Sequence, residues 1–430
     1  MLEFYSFCII LIFCIGIIAV IALGVKKHYL YLFVTGAQII YLFNTPFHRF
    51  LIEDYKIVNV NVRDYFPFGF SLILLHVAIF NLCYFLTFAN YRKLTFTNEV
   101  DEELMRKRIV RLFAVLFTLI FLNTLSGGIN LIDVVLGKTD STTLGLPGAT
   151  YYIQNFADSL ITLLVAAYIF KVKRRHQILM FVLGFMLFII LGFRYRLLLT
   201  AFTIVLYHLY NNGIKARLFF KYLLFVFVFL YSLLFLTYNR VKLYSAKYDD
   251  LTYEPSQFNY DVFFDQAKGS LVDFALYKAL DTDLIESDKG ETMFLYVFIK
   301  MTPARFFPEG KKPYPPPFFP ALDTAIGGSR DIGEAATFLG SFYFTFSFGG
   351  VILISILLGI TTKRLTVHGK RPLNFLLNTM IMMAIFQFFT RGYLPQFVDH
   401  LAYMVFPWFF LRKYVKDIPR EKSEPALLKQ

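Results

Sequence analysis

The chain is poor in charge, cysteine and tryptophan. Only 17% of its 430 residues are charged, with 3 Cys and 1 Trp. Cys8, Cys14 and Cys83 all lie inside apolar stretches. They exclude a disulfide framework or a cysteine metal site and read as packing residues. No basic segment precedes the first apolar run, which excludes a cleaved signal peptide. No Gly-rich phosphate loop is present, because Gly327-Gly328 lacks the spacing and the Lys-Ser/Thr that would follow. No His-Glu-x-x-His pair is present either. Asp281-Thr282-Asp283 has the look of a metal-binding Asp-x-Asp, but suits a helix C-terminal turn better. Neither a metal nor another cofactor is implied, and no internal repeat is visible.

What is abundant is apolar surface. The composition is 57% hydrophobic with 53 Phe, more than a soluble core can hide. A helix crosses a bilayer with roughly 20 apolar residues. About eleven such stretches are expected, centred near residues 13, 37, 78, 122, 161, 185, 204, 228, 348, 382 and 403. The sequence therefore predicts an all-α polytopic membrane protein forming a single domain over 1–430.

The formal charge of +13 is not a nucleic-acid signature, because Lys and Arg fall in every second gap between apolar stretches. Lys26 and Lys27 come first, then Arg92 to Arg111, Lys171 to Arg175, and Lys215 to Lys221. Lys363 to Arg371 and Arg412 to Lys416 complete the set. The positive-inside rule then puts the N-terminus outside and the C-terminus in the cytoplasm. His28, His176 and His368 fall in the basic gaps, and His76 and His208 inside spans.

One long polar interval, residues 240–336, separates the eighth and ninth spans on the outer side. Within Asp261 to Leu280, Phe264, Leu271, Ala275, Leu276 and Ala279 repeat at helical spacing opposite Asp265, Lys268, Asp273 and Lys278. That pattern predicts an amphipathic helix. Met293 to Ile299 is apolar but too short to span, and Thr302-Pro303 should end it. Pro308 to Pro320 reads as stiff and extended, and Gly327, Gly328 and Gly333 as turns.

Charges in or beside spans are costly, so their positions inform. Here they gather toward the outer ends: Asp133, Asp158, Arg194, Arg196 and Arg391. Leu401 to Leu411 is too short to cross, so the last span must start near Leu394 or Pro395. That puts Asp399 and His400 in its outer half. Several arginines with a few carboxylates suit an outward-facing cavity for an anionic ligand such as a lipid-linked diphosphate.

Four local patterns occur in order. They are Gly192-Phe193-Arg194-Tyr195-Arg196-Leu197-Leu198; Thr302-Pro303-Ala304-Arg305 before Pro308 to Pro313; Glu334 before Gly340 and Phe348-Gly349-Gly350 opening a span; and Thr390-Arg391-Gly392. With the late outer loop, this order resembles the O-antigen polymerase family of oligosaccharide repeat-unit polymerases, over roughly residues 90 to 415. The resemblance implies a type-C-like membrane glycosyltransferase acting at the periplasmic face of a bacterial inner membrane. Its substrate would be an undecaprenyl-diphosphate-linked oligosaccharide, with a chain-length regulator and a flippase as possible partners. Arg194, Arg196, Arg305, Arg330 and Arg391 would bind the leaving diphosphate, where losing one donor commonly costs ~10² to 10³ in rate. Glu334 would be the first choice as general base, with Asp331 and His400 next. Two other readings compete. An O-antigen ligase would share the arginines and carry a key His near the start of a late span. A lipid-linked oligosaccharide flippase would show broken helices and polar sites at the bilayer midplane.

Overall fold

The computed structural model describes residues 1–87, 96–100, 102–126, 153–191, 194–213, 231, 235, 254, 267–313, 315–328, 335–368, 372–412 and 415–419. It is an all-α membrane protein. Ten of the eleven expected centres lie in described helices, and the one near 228 falls outside the described residues. By length and composition, 6 described helices can cross a membrane.

Helix α1 (Leu2–Leu23) is apolar all round and exposes Phe4, Phe7, Ile15 and Ile18, as a lipid-facing helix does. Gly24, at φ 102, turns the chain into α2 (Val25–Gln38). A π-helical segment, Ile39–Asn44, carries α2 without a break into α3 (Thr45–Leu51). Pro46 stands where the ladder returns to α and has no N–H to give to the turn before it. A hairpin follows, β1 (Lys56–Ile57) with β2 (Val60–Asn61), then α4 (Phe66–Leu86).

Strand β3 (Phe96–Val100) and helix α5 (Glu102–Ser126) precede three further helices. These are α6 (Ala157–Ile169), α7 (Arg174–Ile190) and α8 (Arg194–Asn212). Helix α6 is buried along nearly its whole length and packs against α5, α7 and α8. In the interval 240–336 lie α9 (Gly269–Asp281), a π turn Glu291–Leu295 leading into α10 (Tyr296–Met301), and α11 (Phe318–Ile326). The chain closes with α12 (Phe338–His368), α13 (Pro372–Arg391), α14 (Leu394–Arg412) and strand β4 (Val415–Pro419). Strand β4 pairs antiparallel with β3.

Helix α14 begins at Leu394, where the residue count required it. It contains Pro407, which cannot donate to the carbonyl of Tyr403 and crowds the turn before it. In a bilayer that carbonyl needs another partner. Ser159 donates to the Tyr403 carbonyl and Thr162 to the Met404 carbonyl, both at 2.6 Å. One hydroxyl of α6 thus replaces the helix bond that Pro407 cannot make, and the two together fix the register between α6 and α14.

Three expectations are corrected. Phe348-Gly349-Gly350 does not open a span, because α12 starts ten residues earlier at Phe338. The helix breaks at Ser347 (φ 53, ψ −144), and a Cβ on Gly350 would stand 2.1 Å from the Phe342 carbonyl oxygen. His28 is not in a basic loop but in α2, at a kink and buried. Asp273 is not on a solvated face either. It is buried and accepts the Thr337 backbone N–H at 2.8 Å as well as the Thr337 hydroxyl. The start of α12 lands on the polar side of α9 and supplies those donors. Burial pushes the Asp273 carboxyl up to about 7, with the Thr337 and Gly340 hydrogen bonds opposing it.

A raised carboxyl pKa means that the folded state holds the proton more tightly than the unfolded chain does. The stability should therefore fall as pH rises from about 4 to about 7 and level off above. Asp273→Asn should flatten that decline and melt higher than wild type at pH 8, measured as thermal unfolding of the detergent-solubilised protein.

Candidate functional site

Four helices bring polar side chains to one end of the bundle. Helices α6 and α8 begin there, α13 ends there, and α14 carries its first two turns there. Asp158 stands in the first turn of α6, where the helix dipole favours a carboxylate. Arg196 donates from Nε to its Oδ1 at 2.6 Å, and both side chains are 1% exposed. Tyr195 donates its hydroxyl to the same oxygen at 3.1 Å. His400 bonds through Nδ1 to Oδ2.

These partners fix the imidazole. An ionised carboxylate only accepts, so Nδ1 carries the proton. The side-chain nitrogen of Gln396 lies 3.2 Å from Nε2, and an amide nitrogen only donates, so Nε2 offers its lone pair. His400 is thus held by a carboxylate through Nδ1, with Nε2 turned the other way. That is the arrangement that orients a general base. At 11% side-chain exposure it is less enclosed than Asp158 and Arg196, each at 1%. The Tyr195 ring packs edge-on against it, with centroids 5.6 Å apart.

Arg196 and His400, expected on separate grounds, are brought together with Asp158. Arg196 spends its charge on Asp158, so it positions the cluster more than it offers a cation to a ligand. Arg391, the last residue of α13, is exposed and within electrostatic reach of Tyr195 and Tyr41. No ion pair to it is found among the described residues. Gly392 follows at φ 56 and ends the helix. Arg305 is exposed in a short turn, Ala304–Phe306, with its guanidinium 5.0 Å from the Phe306 ring centroid. Arg194 is the first residue of α8, and its side chain lies outside the described residues. Arg330, Asp331, Glu334 and Asp133 also lie outside them.

Sequence reasoning missed Lys300. It extends from α10 to Asp399 at 2.7 Å and lies 5.6 Å from the Tyr393 ring centroid. The interval between α8 and α12 is therefore pinned to α14 one residue from His400. A lysine at the end of an apolar run, with an unpaired Asp399 in a span, was the signal available. Asp281 accepts from the Tyr65 hydroxyl at the end of α9, and Thr282 caps the same turn. This fits the helix-end reading of Asp281-Thr282-Asp283. Among the described residues no group of three or more His, Cys, Asp or Glu is arranged to hold a metal.

Comparison with protein-family models, with curated proteins and with solved structures gives no match.

Proposed function

We propose that this chain is a membrane glycosyltransferase that polymerises undecaprenyl-diphosphate-linked repeat units into a surface polysaccharide, such as O-antigen, at the periplasmic face of the inner membrane. In this reading the chain has eleven spans, an external N-terminus and a cytoplasmic C-terminus. The interval 240–336 is a periplasmic insertion. The observation that carries the reading is the orientation of His400 by Asp158 and Arg196, with the exposed Arg391 ending a helix at the same end of the bundle. Glycosyl transfer needs a base for the attacking sugar hydroxyl and positive charge for the departing diphosphate. His400 through Nε2 supplies the first and Arg391 the second. In this reading His400 is the base, a role for which Glu334 and Asp331 were the other candidates.

The ligase reading is kept by the same histidine, which stands in the second turn of a late helix. A glycan ladder separates the two. Cells lacking the gene are complemented with wild type, His400→Ala or Arg391→Ala. The polymerase reading expects single repeat units on the final carrier in the deletion strain, and at least about 100-fold less polymer from either variant. Long polymer left on the lipid carrier would make the chain a ligase. Absence of any repeat unit outside the membrane would favour a flippase, and wild-type ladders from both variants would remove the site.

A further inference from the structure

At the α13–α14 end of the bundle a short helix lies against its side. The π turn Glu291–Leu295 and α10 are continuous, with 5 residues and 6, far short of the roughly 20 that a span takes. One side meets the bundle. Met293, Tyr296 and Ile299 are buried, and Lys300 reaches Asp399 at 2.7 Å. The other side is bare and equally apolar. Phe294, Leu295, Phe298 and Met301 fall together on it, and Phe298 is 68% exposed. A helix that is apolar on every side has no face for water.

The bare side runs on into the surface of a span. The Phe294 ring packs against Phe346 of α12, with centroids 5.9 Å apart. From there an apolar cavity of about 300 Å³ continues along α12 to Leu353, Leu357 and Thr361. Among the described residues Thr361 is the single polar member of its lining, and a cavity of that chemistry stays free of water. Leu353 and Leu357 are exposed on a helix long and apolar enough to cross a membrane, so hydrocarbon covers them. The bare side of α10 and the lipid-facing side of α12 are one continuous surface.

The segment is also built for a place where water is scarce. Backbone groups there need partners within the protein. Asp288 accepts the Gly290 N–H at 3.2 Å and the Thr292 N–H at 2.9 Å. At the other end the Phe298 carbonyl accepts the Thr302 N–H at 2.9 Å and the Thr302 hydroxyl at 2.8 Å. Lys312 donates to the Lys300 carbonyl at 2.7 Å. Cations stand just past the apolar side. Arg305 lies 5.0 Å from the ring centroid of Phe306, which is itself exposed. Lys311 is exposed as well and pairs with Glu309 at 3.7 Å. An apolar face edged by cations is how an interfacial helix meets a headgroup layer.

We propose that Glu291–Phe306 is an interfacial anchor inserted in one leaflet, whose acyl chains cover Phe294, Leu295, Phe298 and Met301. The anchor requires no enzymatic activity, so its test is independent of the glycosyl-transfer reading. Trp408 is the single Trp of the chain. Trp408→Phe combined with Phe298→Trp therefore carries one fluorophore, on the bare side. The full-length protein would be reconstituted in phosphatidylcholine–phosphatidylglycerol vesicles. The phosphatidylcholine would be plain, or brominated near the headgroup or near the chain end. Bromolipid should quench the emission at least about 2-fold, more with bromine near the headgroup, because an interfacial helix lies shallow. Acrylamide should quench it at least about 5-fold less than it quenches free N-acetyltryptophanamide. Phe294→Trp in the same background should report the same, so a variant that fails to fold does not leave the question open. Quenching by acrylamide alone would put this side in water and overturn the proposal. Shielding from both quenchers would mean that protein covers it, and would overturn the proposal too.

Discussion

Arg196→Ala should lower the stability of the protein by about 3–5 kcal/mol, because it leaves Asp158 buried and ionised without its cation. The two side chains are each 1% exposed, so no water is at hand to take over. Tyr195 and His400 still reach the carboxylate, but neither brings a fixed positive charge. The measurement is thermal unfolding in detergent beside Arg391→Ala, which loses an exposed side chain and should shift by under about 0.5 kcal/mol. Adding Asp158→Leu to Arg196→Ala should recover part of the loss, since the stranded charge is then gone. Equal melting of Arg196→Ala and wild type would show that the pair does not hold α6 to α8.

Gly392→Ala is the second large effect. Gly392 has φ 56, which costs an L-residue about 1–2 kcal/mol. A Cβ there would also lie 2.5 Å from the Thr337 carbonyl oxygen and 2.8 Å from that of Ala336. Those are backbone atoms at the start of α12 and cannot swing aside. Overpacking of this kind adds about 1–3 kcal/mol, so a total near 2–5 kcal/mol is expected. The readout is again the melting temperature. Because α13 ends in Arg391, the variant should also lose polymer in the ladder assay. A variant with unchanged melting would mean that α12 and α13 are not in contact there.

The membrane helices were legible because apolar run length is a one-dimensional signal. The start of α14 at Leu394 followed from counting residues alone. Asp158, Arg196 and His400 could each be singled out as costly charges near span ends. Their pairing could not, because it depends on α6 lying against α14, and Ser159, Thr162 and Pro407 set that register. Asp273 was misread since its own helix shows only that it lies opposite Leu271 and Ala275. That α12 delivers a donor to it is a long-range fact. His28 was misread because Lys26 and Lys27 look like a loop, although the chain is already helical at Val25. Lys300 was passed over because the apolar run before it drew attention to length instead of to the charge at its end.

The π segment Ile39–Asn44 carries one residue more than plain α-helix would need there. A chain shortened by one residue in this stretch would wind as α throughout with the helices on either side keeping their phase. Winding all of the present residues as α would instead rotate everything before the segment by about 100° relative to α3. The Gln38 amide would then swing away from His76, and the Tyr31 hydroxyl from Asn81. The wide turn between Gln38 and Pro46 thus absorbs one residue and keeps the two faces aligned.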